Sequence, residues 1–143
     1  MNFRTSCLII CLLFVPSFLN AGEYDGGVQA KILLKTKTTG NGAPIVYPKT
    51  DQPEITALTV DIAPGAQTGW HKHPVPVYAY VLSGCLTVNI EGNISRQFSA
   101  GDIIIEVVNV RHNGINNGKD PVKLVVFYTG DTNIPNVIKT AAP

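Results

Sequence analysis

The chain has 143 residues, eleven basic and ten acidic, for a net charge of +1. This length favours one domain of moderate size. The net charge is close to zero and the basic residues do not cluster into a stripe, which argues against nucleic acid as a partner.

The first 21 residues have the order of a secretory signal peptide. A single base, Arg4, precedes the apolar run 8–19, and the small residue Ala21 follows before the first acids. The run is too short to span a bilayer comfortably, although an uncleaved anchor or a buried N-terminal helix would fit the same residues. The sequence therefore predicts export to the periplasm or beyond the cell, with no membrane span after cleavage.

The cysteines agree with this reading. Cys7 and Cys11 lie in the signal segment, so only Cys85 remains after cleavage and no internal disulfide is possible. A lone thiol of this kind is typically a buried small hydrophobe.

Residues 22–54 are expected to be an irregular N-terminal extension, because they are polar at first and then rich in proline. From residue 55 the pattern changes to short, β-branched runs broken by turn residues, which predicts an all-β sandwich or barrel. The predicted turns are Pro64-Gly65, Glu91-Gly92-Asn93, Ala100-Gly101-Asp102, Asn113-Gly114 and Asn117-Gly118. The predicted strands cover 55–62, 77–82, 86–90, 94–98, 103–105 with 107–108, and 122–128. The barrel core is placed at 55–131 and a C-terminal tail at 132–143.

All three histidines of the chain fall in one pattern. His71 and His73 are two residues apart, so in an extended segment both imidazoles point to the same face. His112 follows a turn and an apolar strand, and strand pairing can bring it beside the first two. Three neutral imidazoles suit Fe, Mn, Zn, Ni or Cu and leave an open coordination position. A His-x-His pair also occurs on surface strands, so spacing alone leaves both readings open.

The spacing around these histidines resembles the two motifs of the cupin family. The first motif is matched by Gly65, His71-Lys72-His73, Val77 and Gly84, and the second by Gly101, Val107-Val108-Asn109, His112 and Asn116. The resemblance covers about residues 55–131 and implies a single-domain jelly-roll β-barrel with a divalent metal on His71, His73 and His112. It does not assign a catalytic residue.

The chain departs from the cupin pattern at two places. Val77 stands where the first motif supplies a glutamate ligand, and Val107-x-Asn109 stands where the second has Pro-x-Gly. The first departure leaves the charge of a divalent ion uncompensated, so it favours an anionic organic ligand. Glu106 is the available replacement carboxylate, but the turn after it leaves its direction unreadable.

The resemblance implies a small-molecule ligand held against an apolar pocket wall, with Val77, Ala79 and Val81 as candidates. We expect a metal-dependent, dioxygenase-like oxidoreductase acting on a small organic anion. The alternative is a cupin that binds metal or a small ligand without turnover. A third possibility is an assembly role, with two copies pairing through outer strands as a homodimer.

Overall fold

The computed structural model describes residues 27–143, so the predicted signal segment lies outside the described residues and export stays a prediction. Residues 33–143 form one compact unit. Residues 27–32 belong to a separate unit and are exposed. Within 27–143 no helix is long and apolar enough to cross a membrane.

Nine strands between residues 53 and 139 build two antiparallel sheets, which confirms the predicted all-β architecture. The strands are β1 Pro53–Ile62, β2 His71–Lys72, β3 Val77–Ser83, β4 Cys85–Ile90, β5 Ile94–Ser99, β6 Ile103–Ile105, β7 His112–Ile115, β8 Val122–Asp131 and β9 Ile138–Lys139. One sheet has the order β1-β8-β3-β6 and the other β5-β4-β7-β2-β9.

The core lies between the two sheets and is specified by alternation along the strands. In β8 every second residue is buried, beginning at Val122 and ending at Gly130. β8 pairs with all ten residues of β1 on one side and with β3 on the other, so its inward residues lie near the middle of the barrel wall. Leu86, Val88 and Ile90 of β4 are the buried apolar side chains of the opposite sheet.

Four of the five predicted turns lie between strands, and the fifth, Asn113-Gly114, is wrong. Gly92 and Asn93 turn the β4–β5 hairpin with φ of 91° and 62°, and Gly101 has φ of 95° in the turn before β6. Asn113-Gly114 instead lies inside β7 and pairs with β4. The mistake has a physical reason: Asn113 is buried and donates to the Gln67 side chain, so neither residue serves as a turn.

Cys85 is exposed at the start of β4, so the expectation of a buried thiol is wrong. It precedes Leu86, whose side chain is buried, and alternation therefore directs Cys85 outward.

Residues 107 and 108 do not extend β6 as expected. Val108 makes only an isolated parallel bridge to His73, and Asn109 follows with φ of 58°. Asparagine tolerates this left-handed conformation better than most residues, so it serves the turn where the family motif has glycine. The Asn109 N–H donates to the His73 carbonyl at 2.8 Å, which ties this turn to the histidine segment.

We predict that Gly84→Ala destabilises the fold much more than Gly92→Ala. Both glycines have positive φ, which costs an alanine about 1–2 kcal/mol. A Cβ on Gly84 would also lie 2.8 Å from the Pro121 carbonyl oxygen and 2.9 Å from the Val122 Cα, whereas one on Gly92 would meet open space. Urea unfolding should therefore give Gly84→Ala an additional loss of about 1–3 kcal/mol. Equal losses would contradict the close approach at Gly84.

Candidate metal centre

The barrel brings the three histidines together, as the resemblance to the cupin motifs implied. His71 is the first residue of β2 and pairs directly with His112, the first residue of β7. His73 lies two residues after His71, just beyond β2. The ring centroids of the three imidazoles are 4.4–4.9 Å apart. One possible ligand atom from each histidine lies within 4.8 Å of the others, and all three side chains are buried. This cluster is the candidate metal centre.

Each imidazole is oriented by a hydrogen bond from its Nδ1 to a backbone carbonyl. The acceptors are the carbonyl of Gly69 for His71 at 2.7 Å, of Asn136 for His73 at 2.7 Å, and of Val110 for His112 at 3.0 Å. A carbonyl only accepts, so Nδ1 carries the hydrogen in each ring and Nε2 is left as the basic nitrogen of the neutral form. This is the tautomer that a metal bound at Nε2 requires.

Glu106 lies against two of these histidines. Its Oε2 is 2.8 Å from Nε2 of His112 and 3.2 Å from Nε2 of His73, and its side chain is 18% exposed. The turn after Glu106 does not indicate where its side chain points, but the alternation of the strand before it does. Ile104 is buried in β6, and Glu106, two residues further, continues to the same inward face.

Burial and the carboxylate act in opposite directions on the histidines. Burial lowers the pKa of His71 to about 4, which keeps this imidazole neutral at pH 7. Burial also opposes protonation of His112, but contact with Glu106 outweighs it and raises the pKa of His112. Burial raises the pKa of Glu106 as well, yet its contacts with His112 and His73 more than offset this and hold the pKa far below the usual range. A proton that binds Nε2 of His112 would lie between this nitrogen and the carboxylate.

When the hydrogen is on Nδ1, the buried Nε2 of His112 has no hydrogen-bond partner, because the Glu106 carboxylate 2.8 Å away can only accept. A buried nitrogen without a partner is costly unless another group uses its lone pair. Together with the Nδ1 hydrogen bonds and the adjacent carboxylate, this nitrogen fits a divalent metal ion held by the three Nε2 atoms.

A cavity of about 60 Å³ lies beside the cluster. It is lined by the histidines and Glu106, by Val60 and Ile62 of β1, Leu124, Val126 and Tyr128 of β8, Leu86 and Val88 of β4, and by Thr68 and Gly114. The Tyr128 ring is 5.4 Å from the His73 ring, and burial raises the pKa of its hydroxyl, so it is neutral at pH 7.

The structure does not bring Val77, Ala79 and Val81 to this cavity. They are buried, but their strand neighbours Tyr128, Val126 and Leu124 of β8 form the wall in their place. The reason is the position of β3 in its sheet. It lies between β8 and the short β6, one strand further from the cavity than β8.

The C-terminal segment forms part of the site, although its sequence indicated only a tail. β9 pairs with β2, and the Asn136 carbonyl accepts the hydrogen of His73 Nδ1. The Asn136 side chain donates to Thr56 Oγ1 of β1 at 2.9 Å. Lys139 Nζ also donates to the Thr68 carbonyl at 2.8 Å. These contacts fix the histidine-bearing strand against both sheets.

The cupin domain family model matches residues 58–128, which include all three histidines, and the chain belongs to this family. An (R)-mandelonitrile lyase from Granulicella tundricola is 32% identical over 50 residues, covering 35% of this chain and 38% of that protein.

Two solved structures share the fold. A DMSP lyase, DddQ, from Ruegeria pomeroyi is 22% identical with a TM-score of 0.54, covering 71% of this chain and 48% of the other. An oxalate decarboxylase from Lactobacillus farciminis is 26% identical with a TM-score of 0.52, covering 59% and 26%. The chain thus spans less than half the length of these relatives.

We predict that Glu106→Gln lowers the pKa of His112 in the metal-free protein. The carboxylate is the group that raises this pKa against burial, so its loss leaves burial to push the value below the ordinary 6.5. His71 is an internal control, because burial dominates its shift and Glu106 contributes least. The measurement is an NMR titration of the imidazole protons. An unchanged His112 titration would show that Glu106 is not its charge partner.

Proposed function

We propose that this chain is a metal-dependent enzyme whose ion is held by Nε2 of His71, His73 and His112. The observation that carries the proposal is the convergence of three buried imidazoles whose Nδ1 atoms are already hydrogen-bonded to backbone carbonyls. Imidazole with one carboxylate suits Fe, Mn, Zn, Ni or Cu. When bound, such an ion acts as a Lewis acid that polarises a substrate oxygen or lowers the pKa of a bound water.

Glu106 has two possible uses in this site, as a fourth ligand or as a proton acceptor. Its carboxylate borders the cavity on the side of His73 and His112. As a base it would take a proton from a substrate hydroxyl or C–H group, or from water, and return it to the product. The neutral hydroxyl of Tyr128, on the same cavity, can donate a hydrogen bond to a substrate oxygen.

We favour bond cleavage started by proton transfer, which is the chemistry of a lyase. The carboxylate supports this choice, as do relatives named a lyase and a decarboxylase. The dioxygenase-like reaction remains the second candidate, since three histidines with an open position suit it as well. The argument for an organic anion becomes weaker, because Glu106 supplies one negative charge and a divalent site would carry one net positive charge rather than two.

Pairing of two copies as a homodimer stays a prediction.

We predict that the protein binds Zn²⁺ or Mn²⁺ and that His73→Ala weakens this binding by more than about tenfold. Glu106→Gln should weaken it by about the same factor, while Glu91→Gln, a change in a surface carboxylate paired with Arg111, should have no effect. Protons compete for the same nitrogens, so affinity should fall as the pH drops below neutral. Calorimetric titration at several pH values measures this. Equal affinities in all four proteins would exclude the centre.

We predict that the metal-loaded protein consumes a small organic substrate without taking up O₂. Mandelonitrile, oxalate, phenols and enolisable acids form the starting panel, with substrate loss and O₂ consumption measured together. At saturating metal, Glu106→Gln should lower kcat by about 10²–10⁴-fold, the usual contribution of a proton-transfer residue, whereas Glu91→Gln should leave it unchanged.

O₂ uptake in step with substrate loss would favour the oxidoreductase instead. Tight metal binding with no turnover of any compound would indicate the non-catalytic binding module.

A further inference from the structure

A second, larger space lies on the outer side of Glu106. It has a volume of about 340 Å³ and is formed between the segment 39–48, here called the arm, and the barrel rim. The arm contributes Ile45 and Tyr47, and the rim contributes Pro76, Tyr78 and Val108. Glu106 lines both this outer pocket and the cavity of the histidines.

The two spaces differ in volume, and the volume of each limits what it can hold. The inner cavity of about 60 Å³ corresponds to the liquid volume of about two waters, so it has room for an ion and little else. The outer pocket falls within the range of about 300–1,000 Å³ that is usual for small-molecule sites. An organic molecule that reaches Glu106 therefore has its body in the outer pocket.

The chemistry of the outer pocket restricts what it can hold. Most of its lining is aliphatic, proline or tyrosine, and none of the described residues that line it is Lys, Arg or His. Glu106 is its one acidic residue. An apolar body is favoured by these walls, whereas a carboxylate ligand would meet a like charge and no cation.

The arm is held in place by backbone contacts. The Gly40 N–H donates to the Ile105 carbonyl at 2.9 Å, which joins the arm to β6 one residue before Glu106. The Ile45 N–H donates to the Lys37 carbonyl at 3.0 Å, so the arm folds back on itself. Val46 and Tyr47 nevertheless remain 73% and 76% exposed, which leaves apolar surface at the pocket rim for a ligand to cover.

We infer that the outer pocket binds an uncharged molecule with a ring-sized apolar body and an acidic hydroxyl, a phenol or an enol, directed at Glu106. The carboxylate accepts the hydrogen bond of the hydroxyl, and the arm encloses the body. The inference rests on the proposed function only in assigning this molecule as the substrate; binding itself needs no metal.

The test is an NMR titration of the ¹⁵N-labelled, metal-free protein with 4-methylphenol and, in parallel, with 4-methylbenzoate, which has a similar body and a negative charge. The phenol should shift the amide signals of Ile45, Tyr78 and Val108 and bind at least about tenfold more tightly than the benzoate. Glu106→Gln should reduce this preference, because the amide keeps an acceptor oxygen but loses the charge.

Two substitutions of the same kind provide the mutational control. Ile45→Trp fills the outer pocket and should weaken phenol binding by at least about tenfold, whereas Ile55→Trp, at an exposed position on β1, should not. The spectrum outside the arm reports whether each variant is folded. Phenol shifts away from the pocket, equal binding of both compounds, or no effect of Ile45→Trp would each overturn the inference. So would pocket shifts on dilution without ligand, which would place a second copy of the chain there.

The two proposals can fail separately. Phenol binding in the pocket without metal binding would leave the inference standing and reject the proposed function. Metal binding without phenol binding would do the reverse.

Discussion

The site depends on three hydrogen bonds that tie the imidazole Nδ1 atoms to backbone carbonyls. Two of these are local, since Gly69 and Val110 each lie two residues before the histidine they orient. The third comes from Asn136, far along the chain. These bonds select the tautomer and fix the ring planes, so the Nε2 atoms point into one small volume between the sheets. β2 pairs with both β7 and β9 through His71 and its neighbour Lys72. This pairing holds the segments that carry the three carbonyls close to the histidines.

This arrangement places polar groups where a core would otherwise be apolar. Three buried imidazoles and a largely buried carboxylate are expensive to remove from water unless they find partners. Glu106 lies within 3.2 Å of Nε2 of both His112 and His73, yet Nε2 of His112 has no hydrogen-bond partner when its ring hydrogen is on Nδ1. A site that is only partly satisfied without its ion is a reasonable consequence of selection for binding rather than for stability.

Glu106 also joins the two spaces of the molecule. It is reached from the histidines on one side and from the arm on the other. A carboxylate in this position can contact both a bound ion and a molecule in the outer pocket. The chain thus has its acid in the loop after β6, and Val77, where the family motif has glutamate, is a buried residue that lines the outer pocket.

Much of this could be predicted from sequence, because alternation and turn residues are local signals. The i, i+2 spacing placed His71 and His73 on one face, and the β-branched runs located β1, β3, β4, β5 and β8 to within a few residues. Other features depend on contacts distant in sequence. The role of Asn136 requires pairing of the tail with β2, and the burial of Asn113 requires Gln67. The alternation of β6 is enough to predict that Glu106 points inward, but the turn that follows makes it uncertain from sequence alone that the alternation continues to this residue.

The central claim is that the three Nε2 atoms hold one metal ion. A crystal structure of the Zn²⁺-loaded protein, with the ion located by its anomalous scattering, tests it most directly. The account predicts one buried ion at about 2.0–2.1 Å from Nε2 of His71, His73 and His112, with each Nδ1 still bonded to its carbonyl. An empty cluster at saturating Zn²⁺, or an ion bound to surface carboxylates alone, would contradict it.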